Sequence, residues 1–274
     1  MNFLKSIESG KISINKIGIF KAILIIIISF FIGETGLFFN GWIKSLGSAA
    51  PYGRFIVEII FKFLSVVVIL KIFSKKSEED FEYNSPNLQY YLFTFLIIVG
   101  FRLFYEYSIG GIVSNIKMNP VIQKAFEELA VSPIVLILTV AVLAPIFEEV
   151  IFRGIILNGM AKRLNTKIAI IISAFLFALV HMNLVQGINA FLLGILLGFI
   201  YLKTRSIYLS IFAHFINNSV GIMIAGAMEK LAFRNELIFQ IIVTIVGAII
   251  MICGCLWYRK NGKNVLRELK CTNN

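Results

Sequence analysis

Residues 134–157, IVLILTVAVLAPIFEEVIFRGIIL, decide what kind of molecule this is. An apolar run of this length can cross a bilayer as a helix, which takes about 20 residues. Yet it carries two adjacent carboxylates, Glu148 and Glu149, and a guanidinium, Arg153. Ionisable groups in hydrocarbon are costly, so they are kept either as structural ion pairs or for function. On a helix, Glu149 and Arg153 stand four residues apart on one face and can pair, while Glu148 is turned away by about 100°. One carboxylate is then braced and one is available. Pro145 removes a backbone donor just before the doublet and should kink the helix there.

The rest of the chain supplies the setting for that run. Of 274 residues, 58% are hydrophobic, the mean hydropathy is +0.87 and 26 are phenylalanine. A soluble domain has no use for so much apolar surface, because a single core saturates and its exterior must be wetted. The composition therefore predicts an all-α, polytopic transmembrane helical bundle set in a lipid bilayer. Runs of spanning length fall at roughly 21–39, 55–73, 88–108, 134–157, 168–185, 187–202, 207–227 and 237–257, about eight spans. Short interfacial helices are expected at the amino terminus, around Phe3, Leu4 and Ile7, and in the loop 109–133. In that loop Val121, Ile122, Phe126 and Leu129 alternate with Lys124, Glu127 and Glu128 at amphipathic spacing. No internal repeat or linker interrupts the chain, so residues 1–274 read as a single membrane domain with its catalytic core at about 134–228.

The net charge of +11 belongs to topology, not to a nucleic-acid partner, because the basic residues sit between apolar runs and form no patch on a soluble module. Seventeen of them fall on one side of an eight-span layout and six on the other. The positive-inside rule then places both termini in the cytoplasm. Residues 1–20 do not read as a cleavable signal: the basic region is long and no small-residue cleavage site follows a short apolar core. Cys253, Cys255 and Cys271 have no metal-like spacing with a histidine and suggest no disulfide framework. Two further charge pairs, Glu58 with Lys62 and Arg102 with Glu106, have i, i+4 spacing and read as structural ion pairs.

Both histidines of the chain, His181 and His214, fall within expected spans, and Asn218 follows His214 by one helical turn on the same face. Peptide hydrolysis needs a base to activate water and donors to hold the tetrahedral oxyanion. Glu148 with His181 can supply the base, His214 with Asn218 the donors, and Arg153 can hold Glu149. The same groups can be read as ligands instead, since Glu148, His181 and His214 with a water would make a catalytic zinc site. The HExxH pattern of the common zinc proteases is missing. No cofactor is required by the first reading, and zinc is the cofactor of the second.

EEVIFRG, FALVH and HFINN resemble the three signatures EExxxR, FxxxH and HxxxN of the CAAX protease and bacteriocin-processing family of intramembrane proteases, also called the Abi family. By that resemblance the catalytic glutamates fall on Glu148 and Glu149, the arginine on Arg153, the second motif on Phe177 and His181, and the third on His214 and Asn218. No motif position departs. The resemblance implies an eight-helix core and glutamate-dependent proteolysis of a class grouped with metalloproteases. In bacterial members it implies roles in bacteriocin self-immunity, peptide maturation or peptide signalling.

The expected function is thus an intramembrane endopeptidase of a bacterial plasma membrane, acting on a peptide or membrane-protein substrate. Two other readings compete. One is a non-catalytic membrane immunity or scaffold protein that retains the motifs for packing. The other is a transporter relaying protons through its buried charges, disfavoured by the absence of repeated halves.

Overall fold

The computed structural model describes residues 3–9, 11–77, 86–113, 115–117, 120–227 and 237–262. Lys230, Arg234, Lys263, Arg267, Lys270 and Cys271 lie outside them. The described elements are α1 (Phe3–Glu8), β1 (Ile12–Ile14), α2 (Ile19–Ser45), α3 (Ala50–Phe73), β2 (Ser74–Lys76), α4 (Leu88–Val113), α5 (Pro120–Ala130), α6 (Pro133–Ala161), α7 (Thr166–Leu179), α8 (Leu184–Thr204), α9 (Ile207–Ala227) and α10 (Leu237–Asn261). The architecture is the expected all-α polytopic bundle, and the chain is a multi-pass membrane protein.

Helices occupy all eight positions where spans are expected. Six of them, α2, α4, α6, α8, α9 and α10, are long and apolar enough to cross a membrane. The other two differ for separate reasons. Helix α3 has the length but carries Arg54, Glu58, Lys62 and Lys71. Helix α7 is apolar but has only 14 residues, a rise of about 21 Å. It stops earlier than the run 168–185 suggests because Met182 takes a left-handed backbone (φ 48°), and Asn183 then caps α8 by accepting a hydrogen bond from Val185 N at 3.1 Å. His181 therefore lies in the turn after α7, not inside a helix.

The chain divides into two compact units, one of residues 1–83 and 120–176, the other of residues 84–119 and 177–274. In the first, the amino-terminal strand β1 pairs antiparallel with β2, Ile12 opposite Lys76 and Ile14 opposite Ser74. The chain then runs along the end of α6: Ile17 N donates to Gly159 O at 3.0 Å, and Lys162 Nζ donates to Ile14 O at 2.8 Å. Gly159 is required at this joint, since a Cβ there would stand 2.7 Å from Asn15 O and 2.6 Å from Ile17 Cγ1. Ile7, Ile14 and Ile17 are buried, so the predicted interfacial amino-terminal segment is anchored to protein. Helix α5 has the expected two-sided character, with Ile122 and Leu129 half-buried and Gln123, Lys124, Glu127 and Glu128 exposed. The Glu58–Lys62 pair is formed at 3.4 Å.

The second unit packs α4, α8, α9 and α10 around Ile97, Ile98, Phe101, Leu193, Leu197, Ile200, Leu209, Ala213 and Tyr258. Helices α4 and α10 approach with backbones nearly touching: a Cβ on Gly100 would lie 2.7 Å from Gly247 O. Small residues permit such packing where lipid supplies no hydrophobic drive between helices. Tyr258 OH donates to Tyr90 O at 3.1 Å and so takes its 2.5 Å hydrogen bond from Thr94 Oγ1, leaving no hydroxyl of the trio unmatched in the apolar interior. Arg102 and Glu106 pair at 3.1 Å.

Candidate active site

The carboxylate motif lies in the first unit, on a stretch of α6 whose winding changes twice. Residues Leu138–Leu143 are π-helical, Ala144–Glu149 form an α-helical turn, and Val150–Leu157 are π-helical again. Pro145 sits at the start of the α turn. A proline ring cannot donate and collides with the carbonyl one turn earlier, and a widened turn in front of it relieves both problems. The expected disturbance at Pro145 is thus a change of helical pitch. Wide turns of this kind are common at functional sites.

Burial separates the two glutamates. Glu149 is fully buried and its Oε1 accepts from Arg153 Nη1 at 2.7 Å, with Arg153 itself 1% exposed. Glu148, one residue earlier, is only partly buried. Arg153 also interacts electrostatically with the Glu148 carboxylate. Ser173 Oγ of α7 donates to Phe152 O at 3.4 Å, fixing the two helices beside the motif. The i, i+4 brace expected from the spacing is present.

The histidine motifs lie in the second unit. Phe177 is fully buried, and its ring meets both imidazoles edge to face, His181 at 5.1 Å and His214 at 5.6 Å, each at 88°. The aromatic residue of the second motif is thus a shared wall for the only two histidines. His181 Nδ1 lies 2.8 Å from Phe177 O. A carbonyl oxygen only accepts, so Nδ1 carries the hydrogen, and in the neutral ring the lone pair is on Nε2. That nitrogen is the one able to take a proton or bind a metal.

His214 and Asn217 are nearly fully buried, at 3% and 4% exposure, and Asn218 is half-buried. Asn217 Nδ2 donates to Asn218 Oδ1 at 2.9 Å. Reading the signatures picks out Asn218 and passes over Asn217, although its position three residues after His214 puts it on the same helix face. Among the described residues no three His, Cys, Asp or Glu side chains are gathered as a metal-holding group.

Residues 130–220 match a family model described as type II CAAX prenyl endopeptidase Rce1-like. The chain is 29% identical over 140 residues to a Bacillus subtilis (strain 168) protein named "Putative membrane peptidase YdiL", covering 51% of this chain and 53% of that protein. It is 30% identical over 165 residues to "UPF0177 protein YaiH" of Lactococcus lactis, covering 58% and 65%. An uncharacterized 24.3 kDa protein of Escherichia coli is 27% identical over 111 residues, covering 38% and 51%. The chain thus spans about half to just under two thirds of the length of these curated relatives. No solved structure matches it. All three signatures, from Glu148 to Asn218, fall inside the matched residues 130–220, and the match fits the resemblance to the CAAX protease and bacteriocin-processing family.

Proposed function

We propose that this chain is an intramembrane endopeptidase of a bacterial plasma membrane, with both termini cytoplasmic, that hydrolyses a peptide bond in a peptide or membrane-protein segment. The observation that carries the reading is the division of the glutamate doublet: Glu149 is locked to Arg153 in a buried pair, and Glu148 keeps partial exposure beside it. A purely structural doublet has no need of the second carboxylate, whose desolvation is a cost. The printed name of the Bacillus subtilis relative and the match to an endopeptidase family support the same class of activity.

In this mechanism Glu148 removes one proton from a water whose other hydrogen is held by His181 Nε2. The water oxygen bonds to the scissile carbonyl carbon, and the C=O π electrons move onto oxygen. His214 and Asn218 donate N–H groups to that oxyanion, whose charge exists only in the transition state and intermediate. When the C=O bond re-forms, the C–N bond breaks and Glu148 returns its proton to the leaving nitrogen. Water is consumed and a carboxylic acid and an amine are released. Glu149 and Arg153 take no part in bond-making; they hold the helix register that presents Glu148. No step requires zinc, although His181 Nε2 with His214 and Glu148 have donor chemistry that zinc accepts.

The test uses the full chain in lipid nanodiscs with a library of internally quenched hydrophobic peptides. Cleavage by wild type and its loss in Glu148→Gln is the expected result. If wild type cleaves nothing, or Glu148→Gln cleaves as well as wild type, the proteolytic reading falls and a motif-retaining scaffold takes its place.

A further inference from the structure

Asn217 belongs to none of the three signatures, yet it is among the most buried polar side chains of α9. It shares a face with His214, three residues earlier, and is hydrogen-bonded to its neighbour Asn218. Its two amide ends are in different situations. Nδ2 donates to Asn218 Oδ1 at 2.9 Å, whereas Oδ1, sealed from solvent, has no hydrogen-bond partner among the described residues. An amide oxygen buried in an apolar helix bundle without a donor carries its full desolvation penalty. A leucine of similar size would avoid it, so packing alone does not account for an asparagine here.

We infer that Asn217 is a further residue of the peptide-hydrolysing site, its Nδ2 positioning Asn218 and its Oδ1 accepting a backbone N–H of the bound peptide. The inference rests on the proteolytic reading above. Its first half follows from amide chemistry. An asparagine can offer either its oxygen or its NH2, and oxyanion stabilisation needs donors. With its oxygen accepting from Asn217, the Asn218 amide is held so that its NH2 end, not its oxygen, is turned away from Asn217. An unanchored Asn218 would spend part of its time presenting an acceptor to a developing negative charge. The second half follows from complementarity. A buried acceptor beside N–H donors matches the alternating C=O and N–H groups of an extended peptide backbone, the pattern that strand-like substrate binding uses. The substrate class is therefore a peptide bound through its main chain, with Asn217 satisfied only when the site is filled.

Two variants separate the two ends of the amide, measured with full-length protein in nanodiscs on whichever quenched peptide wild type cleaves fastest. Asn217→Leu removes both ends and should lower kcat about 100-fold, the scale for a lost oxyanion donor. It should also raise KM about tenfold, the scale of one hydrogen bond, with a melting temperature at or above that of wild type. Asn217→Asp keeps the acceptor oxygen and loses the donor, so kcat should fall comparably while KM stays within about twofold of wild type. Wild-type kcat and KM in Asn217→Leu would overturn the inference. So would loss of activity in step with a lowered melting temperature, or the same KM change in both variants, since those describe a structural residue. Absence of any cleavage by wild type overturns the proteolytic reading, and this inference with it.

Discussion

Glu148 and Glu149 are neighbours in sequence held under opposite conditions, and substitutions at the motif should divide along that line. Glu148→Ala deletes a partly buried carboxylate and leaves the Glu149–Arg153 pair in place. It should abolish cleavage while the melting temperature in detergent stays near that of wild type. His181→Ala removes the Nε2 lone pair and should be equally inactive. Asn218→Ala should retain a trace, because one oxyanion donor is worth about 10²- to 10³-fold in rate. Arg153→Ala differs in kind. It removes the guanidinium that Glu149 pairs with at 0% exposure, and breaking a buried pair costs about 3–5 kcal/mol. That variant should lose protein yield and melting temperature as well as activity. Measuring cleavage and melting on the same preparations checks the division; an Arg153→Ala protein as stable as wild type would contradict it.

Helix α6 is the element on which the motif depends, and its far end is held by the amino-terminal strand. The joint is backbone to backbone, Ile17 N to Gly159 O, with no room for a side chain at Gly159. Gly159→Val should unseat residues 15–17 from α6 and destabilise the protein by about 1–3 kcal/mol, the usual cost of overpacking a close contact. Limited proteolysis of the amino-terminal segment, faster in the variant than in wild type, would report the detachment. Unchanged proteolysis and melting would mean the joint is not tight. The turn that ends α7 makes the complementary point. Apolar periodicity runs on past Leu179, but the left-handed Met182 and the capping Asn183 stop the helix. His181 is held by its own ring hydrogen bond to Phe177 O, not by helical geometry.

For the whole molecule, the partition of basic residues, seventeen against six, makes a topological prediction. Reporter fusions after residue 80 and at the carboxyl end should report cytoplasmic, and fusions near residue 118 external; an external carboxyl end would contradict the layout. Metal dependence is a second property of the intact protein. With only two histidines and no HExxH helix, cleavage should survive extended chelation. Stoichiometric zinc, lost together with activity and restored with it, would defeat the metal-free mechanism. Fold class, helices at the eight expected positions and the Glu149–Arg153 brace were legible from sequence alone. Hydropathy over some 20 residues and i, i+4 spacing are local properties, and a bilayer forces the backbone to satisfy itself within each helix. Three features were decided only in the tertiary structure. They are the shared Phe177 wall of the two histidines, the tautomer of His181 and the half-matched amide of Asn217. The reason is the same for each: side-chain packing and the choice of hydrogen-bond partner depend on which atoms the fold brings within about 3–6 Å, and periodicity along the chain carries no record of that.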